Sequence, residues 1–316
     1  MSLHRLGLAL LVTLGTLVAP AVAAEPVLLR YKFAKGDRLI YRTAHEEKQV
    51  QTVMGQNLES TTRQEVVTLL VVDEIDGDGN AVVKTKAVHR KRKSDGQQGK
   101  FEFDSKSAER DTGTEIGAAT TPFLERLTGS EYQIKVTPRG NVAEVNGFAE
   151  LIDDLVKANP GNALLAGVLA DNDGQKHTEQ EQFVVFSDKP VAPGDSWEQP
   201  IDADLKGIGK MKGKVTYTYE GDDKVGDRKT ARIGVKLDLT LDLAVEVTGA
   251  KITGTTSTTR SEGTVQFDPL AGRILSRKNV TTMKGPLTVE AGGMTIALDS
   301  SEDHTTTIQL LDKLPD

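Results

Sequence analysis

Between Leu237 and Val247 an aliphatic residue stands at every second position: Leu237, Leu239, Leu241, Leu243, Val245 and Val247. Asp238, Thr240, Asp242 and Glu246 fill positions between them. A period of two is the signature of a strand with one buried and one wet face. It is the cleanest alternation in the chain, and it dictates a long strand in a β-rich fold.

Shorter versions of the same pattern recur on either side. Leu29, Tyr31 and Phe33 alternate with Arg30 and Lys32, and Leu39, Tyr41 and Thr43 follow the Lys35-Gly36-Asp37 turn. A turn at Met54-Gly55-Gln56-Asn57 predicts a long hairpin that returns through Val66–Val72. Tyr132, Ile134 and Val136 precede a Thr137-Pro138-Arg139-Gly140-Asn141 turn, and Val215, Tyr217 and Tyr219 form a further strand. Asp268-Pro269-Leu270-Ala271-Gly272 and Ala291-Gly292-Gly293 join the last hairpins. Pro122, after Thr121 as its cap, is placed to open a short helix.

One stretch breaks the rule of two. Phe148, Leu151, Ile152, Leu155 and Val156 recur at helical spacing, with Glu150, Asp153, Asp154 and Lys157 on the opposite face. Asn159-Pro160-Gly161 ends that helix, and Leu164, Leu165, Val168 and Leu169 suit a second, shorter one. The flanks resemble each other: each opens on a Gly-Asp turn and continues through a strand, an acidic Gly turn and a return strand. The expected organisation is a leader at 1–24, a β-rich half at 25–146, a helical connector at 147–182 and a second β-rich half at 183–316. Strands such as 46–63 and 253–262 are Thr-rich and polar on both faces, so the sheet is expected to extend past its core. The predicted fold is mainly β: a large curved antiparallel sheet or incomplete barrel of two related halves, with the helical segment packed inside or over one end. Two separate β-domains are the alternative.

The leader reads as an export signal. Arg5 is followed by an apolar run from Leu6 to Val18, too short to span a bilayer, and Ala21-Val22-Ala23 is a small-x-small cleavage site. No later apolar run is long enough to cross a membrane. The chain contains no cysteine, so it has neither a lipidated N-terminal Cys nor disulfides. A periplasmic or extracellular location is therefore expected. Cleavage removes one of the 39 basic residues, leaving 38 against 46 acidic ones, a net charge of −8. That balance argues against nucleic acid as a partner.

Motifs that resemble catalytic or metal sites fail on spacing. Asp76-Gly77-Asp78-Gly79-Asn80 starts like a calcium loop, but its sixth and twelfth places hold Ala81 and Ala87. Gly194-Asp195-Ser196 resembles the nucleophile block of Gly-Asp-Ser hydrolases, yet Ser301 stands three places before His304 where that family has Asp. Gly207–Lys214 lacks phosphate-loop spacing; Lys206, Lys210, Lys212 and Lys214 share one face and suit a lysine-protected edge strand. The run His89-Arg90-Lys91-Arg92-Lys93 reads as a solvated loop at a strand end, with contact to acidic polymer or anionic lipid headgroups as the alternative. His45, His89, His177 and His304 form no metal-ligand pair in sequence. No catalytic residue, metal ligand or cofactor is assigned, and an enzyme would need a cleft that brings His45, His89 or His304 beside carboxylates.

Leu29-Arg30-Tyr31-Lys32-Phe33 with Gly36-Asp37, Val136-Thr137-Pro138-Arg139-Gly140, and Lys189-Pro190-Val191-Ala192-Pro193-Gly194-Asp195-Ser196-Trp197 together resemble a family of uncharacterised exported bacterial proteins. The resemblance implies a β-rich, exported chain and carries over no catalytic residue. The function expected is non-enzymatic binding in the cell envelope. An apolar or lipid-like ligand would sit between the sheet and a helix, against Phe148, Leu151 and Leu155 on one side and Leu239, Leu241 and Leu243 on the other. The alternative is an interaction module that binds another envelope protein and no small molecule.

Overall fold

The alternation seen in the sequence becomes twelve strands. In a computed structural model, residues 25–316 are described except 98, 112, 159–175, 177, 206, 248 and 316. The expected leader and the second connector helix lie outside the described residues. The first half contains β1 (Arg38–Val53), β2 (Gln56–Ile75), β3 (Ala81–Gly96), β4 (Gly99–Asp104), helix α1 (Glu115–Leu127), β5 (Glu131–Val136), β6 (Val142–Asn146) and helix α2 (Phe148–Ala158). The second contains β7 (Ser196–Leu205), β8 (Gly209–Val225), β9 (Arg228–Val247), β10 (Ala250–Asp268), β11 (Arg273–Ala291) and β12 (Met294–Leu311). All belong to one antiparallel sheet ordered β6-β5-β3-β2-β1-β12-β11-β10-β9-β8-β7, with β4 beside β3. The sheet is therefore single and unclosed, and β1 and β12 meet at its centre.

Register follows the turns. Met54 (φ 49°) and Gly55 (φ 79°) make the two-residue turn that sets Val53 opposite Gln56. Asp76 closes the β2–β3 turn by accepting the amides of Asp78 and Asn80 at 3.0 and 2.9 Å. The Asn80 side chain and Lys135 hold its carboxyl well below the usual carboxylate range. The two Gly-Asp turns are the same structure. Asp37 Oδ2 accepts the Ala34 amide at 2.9 Å, and Asp195 Oδ2 accepts that of Ala192 at 2.8 Å. Gly36 donates to Val72 O and Gly194 to Tyr219 O, while Asp37 O and Asp195 O accept the returning amides of Val72 and Tyr219.

Two expectations change. The first helix starts at Glu115, not Pro122: Thr114 Oγ1 caps it by accepting the Gly117 amide, and Pro122 lies inside it. Thr121 is buried instead, donating to Asp111 O at 2.9 Å. The lysine-rich strand β8 is not an edge, because β7 covers it. Lys214 pairs with Glu198 at 2.7 Å, and Lys210 and Lys212 stand opposite Asp204 and Asp202. Lys206 lies outside the described residues.

The core occupies one end of the inner face. Tyr31 is fully enclosed there, against the rings of Phe33, Phe183, Phe186 and Phe267 at centroid distances of 5.2–5.7 Å. Its hydroxyl accepts the buried Val184 amide at 2.9 Å. Its own amide donates to Pro138 O, and the next amide, of Lys32, donates to Gly272 O. Gly140 (φ 93°) is required where these segments cross, since a Cβ there would lie 2.2 Å from Val184 O and 2.6 Å from the Tyr31 ring. Trp197, half-buried against this core, donates its indole N–H to Val185 O at 2.6 Å and stacks on Tyr217.

Tyr31→Phe is expected to cost about 1–3 kcal/mol by orphaning the Val184 amide, and Tyr31→Ala about 3–5 kcal/mol. Equilibrium urea unfolding monitored by Trp197 fluorescence measures both; an unchanged stability in Tyr31→Phe would show that the hydroxyl contributes nothing.

Candidate functional site

Beyond the packed end, the inner face divides by chemistry. On β9 it continues as Leu239, Leu241, Leu243 and Val245, the first buried and the rest half-buried. Opposite Leu243 stand Gly209 on β8 and Gly254 on β10, so no cross-strand side chain covers it. The same row runs on through Leu287 and Leu298 to Val53. Across β12, β1, β2 and β3 the neighbouring rows are polar: Glu302, His304 and Thr306, then His45, Glu47 and Gln49, then Gln64 and Thr62, then Arg92 and Ser94. The outer face is charged, with Arg42, Glu46 and Lys48 on β1 and Lys236, Asp238 and Asp242 on β9.

The six residues expected to hold an apolar ligand are split by the fold. Phe148 is buried in the core, edge-on to Tyr132 at 4.9 Å, and Leu151 is half-buried against that core. The side chain of Leu155 lies outside the described residues. Leu239, Leu241 and Leu243 line β9, near the other edge of the sheet. Among the described residues, the cleft between Tyr31, Leu39, Tyr41, Leu70, Phe183 and Ile274 is about 10 Å³, room for one water. The sheet wall, not a helix–sheet pocket, is the apolar surface on offer.

Sequence spacing could not show the histidine pair. Pairing of β1 with β12 sets Glu47 opposite His304 and His45 opposite Thr306, and brings the two imidazoles within 5.6 Å. His45 Nδ1 lies 3.0 Å from Thr306 Oγ1. His304 Nε2 lies 3.4 Å from Glu302 Oε2, whose partner oxygen accepts from Gln49 at 2.9 Å. The bond to Glu302 raises the His304 pKa, whereas burial and then the neighbouring imidazole lower that of His45. The two imidazoles are thus shifted in opposite directions. His45, Glu47 and His304 are also the group that could ligate a metal ion, their ligand atoms lying within 4.8 Å of one another. His89 is different: it is buried at the β3 bulge with Asp104 at 2.8 Å, and Lys91 shares that carboxylate at 3.1 Å. His177 lies outside the described residues.

Residues 78–274 match the model of a family described as a family of unknown function, DUF6263. The chain belongs to that family. No curated protein matches it. Among solved structures, lipovitellin, from a study titled for its lipid–protein interactions, is 10% identical. The match has a TM-score of 0.40 and covers 90% of this chain and 26% of that one. This chain thus spans about a quarter of the lipovitellin chain. An outer membrane channel of Pseudomonas putida is 7% identical over 89% of this chain and 97% of that one, at a TM-score of 0.23. DynF of Micromonospora chersina is 9% identical over 92% and 90%, at 0.18. Scores this low assign neither fold nor activity.

A buried acid borders the polar rows. Glu179 is 4% exposed and accepts hydrogen bonds from Tyr132 Oη at 2.6 Å and Gln182 Nε2 at 2.7 Å. Burial pushes its pKa up to about 7. The folded state therefore holds a proton that the unfolded state releases near pH 4.5, and stability falls as pH rises between those values. The loss is on the order of 3 kcal/mol. Glu179→Gln is expected to flatten the pH 5–8 dependence of Tm and to raise Tm at pH 8; an unchanged slope in calorimetric scans would contradict this.

Proposed function

We propose that this protein is an exported, non-enzymatic binding protein of the cell envelope that holds an apolar or lipid-like ligand against the inner face of its incomplete barrel. One observation carries the reading. The aliphatic row Leu239–Leu241–Leu243–Val245 runs past the packed core into half-buried positions, where the residues opposite Leu243, Gly209 and Gly254, carry no side chain. Half-buried aliphatic surface lined up on one wall is what an apolar ligand covers favourably, at about 25 cal/mol per Å². With Phe148 and Leu151 taken up by the core, the ligand is held by the sheet rather than clamped by α2.

The charged outer face supports a water-exposed exterior. Lys236, Asp238 and Asp242 on one strand are the reverse of the apolar band that a membrane-spanning barrel presents to lipid. The leader of residues 1–24 supports export, and the absence of cysteine supports a mature form free in the periplasm or the medium. Against an enzyme stands the setting of the histidines: they project from the interior of a paired sheet, where the ladder consumes the backbone amides that could stabilise an oxyanion.

Native mass spectrometry of the mature protein followed by lipid extraction tests the reading. A copurifying amphiphile is expected in the wild type and is lost in Leu241→Lys without loss of Tm. A clean apo mass that takes up no fluorescent aliphatic probe would send the assignment to a protein-interaction module.

A further inference from the structure

The basic run His89–Lys93 is not a loop but part of β3, and the strand sorts its cations by face. Outward, Lys91 pairs with Asp104 and Lys93 with Glu102, each at 3.1 Å. Inward, Arg90 and Arg92 are half-buried, and the Nε atoms of both are buried with no hydrogen-bond partner among the described residues. Ser94 Oγ, next on the same face, and Thr85 Oγ1, further back along it, are likewise buried without partners. Four of the five unpartnered buried polar atoms described in the molecule thus lie on the inner face of one strand.

A buried donor without an acceptor is costly, and native interiors rarely leave one unpaired. Burial lowers the pKa of both arginines, as expected of a cation partly stripped of water. The carboxylate acting on Arg92 is Glu47, which stands directly across from His304 on β12. Phe103 and Phe101 are the cross-strand neighbours of Arg92 and Ser94. Gln64, opposite Arg92 on β2, leads to His45 on β1. The arrangement is two forked donors and a hydroxyl on one strand face, the donor set that suits a carboxylate or phosphate.

We propose that Arg90, Arg92 and Ser94 form an oxyanion site for the acidic head of an amphiphile held on the inner face of the sheet. This rests on the apolar-groove reading above and adds to it the class of head group.

The test uses delipidated mature protein and four probes: dodecanoate, dodecyl phosphate, dodecanol and inorganic phosphate, measured by titration calorimetry at low salt. Both acidic amphiphiles are expected to bind about 10- to 100-fold more tightly than dodecanol, the range that charge-assisted hydrogen bonds supply. Arg92→Gln should abolish that preference while leaving dodecanol affinity unchanged, and Arg92→Lys should restore part of it. The ligand-free Arg90→Gln/Arg92→Gln protein should melt no lower than wild type, because two buried, unpartnered Nε donors have been removed. Equal affinity for dodecanoate and dodecanol would overturn the oxyanion site and leave the groove standing. Binding of inorganic phosphate alone, or of no probe, would overturn the proposal together with the groove. A large fall in Tm in the ligand-free double variant would make the arginines structural and likewise overturn it.

Discussion

The enclosure of Tyr31 is the contact on which the rest of the architecture depends. A long antiparallel sheet cannot bury its inner face alone; something must lie across it. Here the N-terminal segment and the chain leading into β7 do so, and Tyr31 is where they meet. It packs against Phe183, Phe186 and Phe267, and accepts the buried Val184 amide. Its backbone also ties the β5–β6 turn to the β10–β11 turn through Pro138 O and, one residue on, Gly272 O. The two wings of the sheet are thereby held to one core.

The two Gly-Asp turns, matching bond for bond, argue that the halves are structural repeats. Each caps the first strand of its half and clasps the far end of the second, at Val72 and at Tyr219. Repetition would offer two seams, β1 with β12 and β6 with β7. The first is paired along most of its length, and the second is left open. β6 has only five residues before α2 begins, too short to pair with the whole of β7. The open seam makes this an incomplete barrel, with an inner face that the core fills at one end only.

That unfilled face is asymmetric. The β9 wall is aliphatic and the β12–β3 wall carries histidines, carboxylates and arginines. Such a surface suits a molecule that is itself divided into an apolar and an acidic part. The buried, unpartnered Nε donors of Arg90 and Arg92 fit the same view, since sites that bind ligands commonly sacrifice stability in the empty state.

What the residues declared by themselves was local. The strand at Leu237–Val247, the Met54-Gly55 turn, the helix at Phe148 and the Gly-Asp turns all follow from periodicity and turn chemistry within a few residues. The start of the first helix was missed because Thr114 caps it from a stretch with no strong pattern, while Pro122 looked like a beginning. The tertiary structure alone decided the rest. Residue spacing cannot say that β7 would shield the lysines of β8, that the basic run would be a strand with arginines facing inward, or that β1 and β12 would bring His45 beside His304. Each of these depends on which strands become neighbours, and strand pairing is settled by burial of the whole inner face rather than by any segment's own preference.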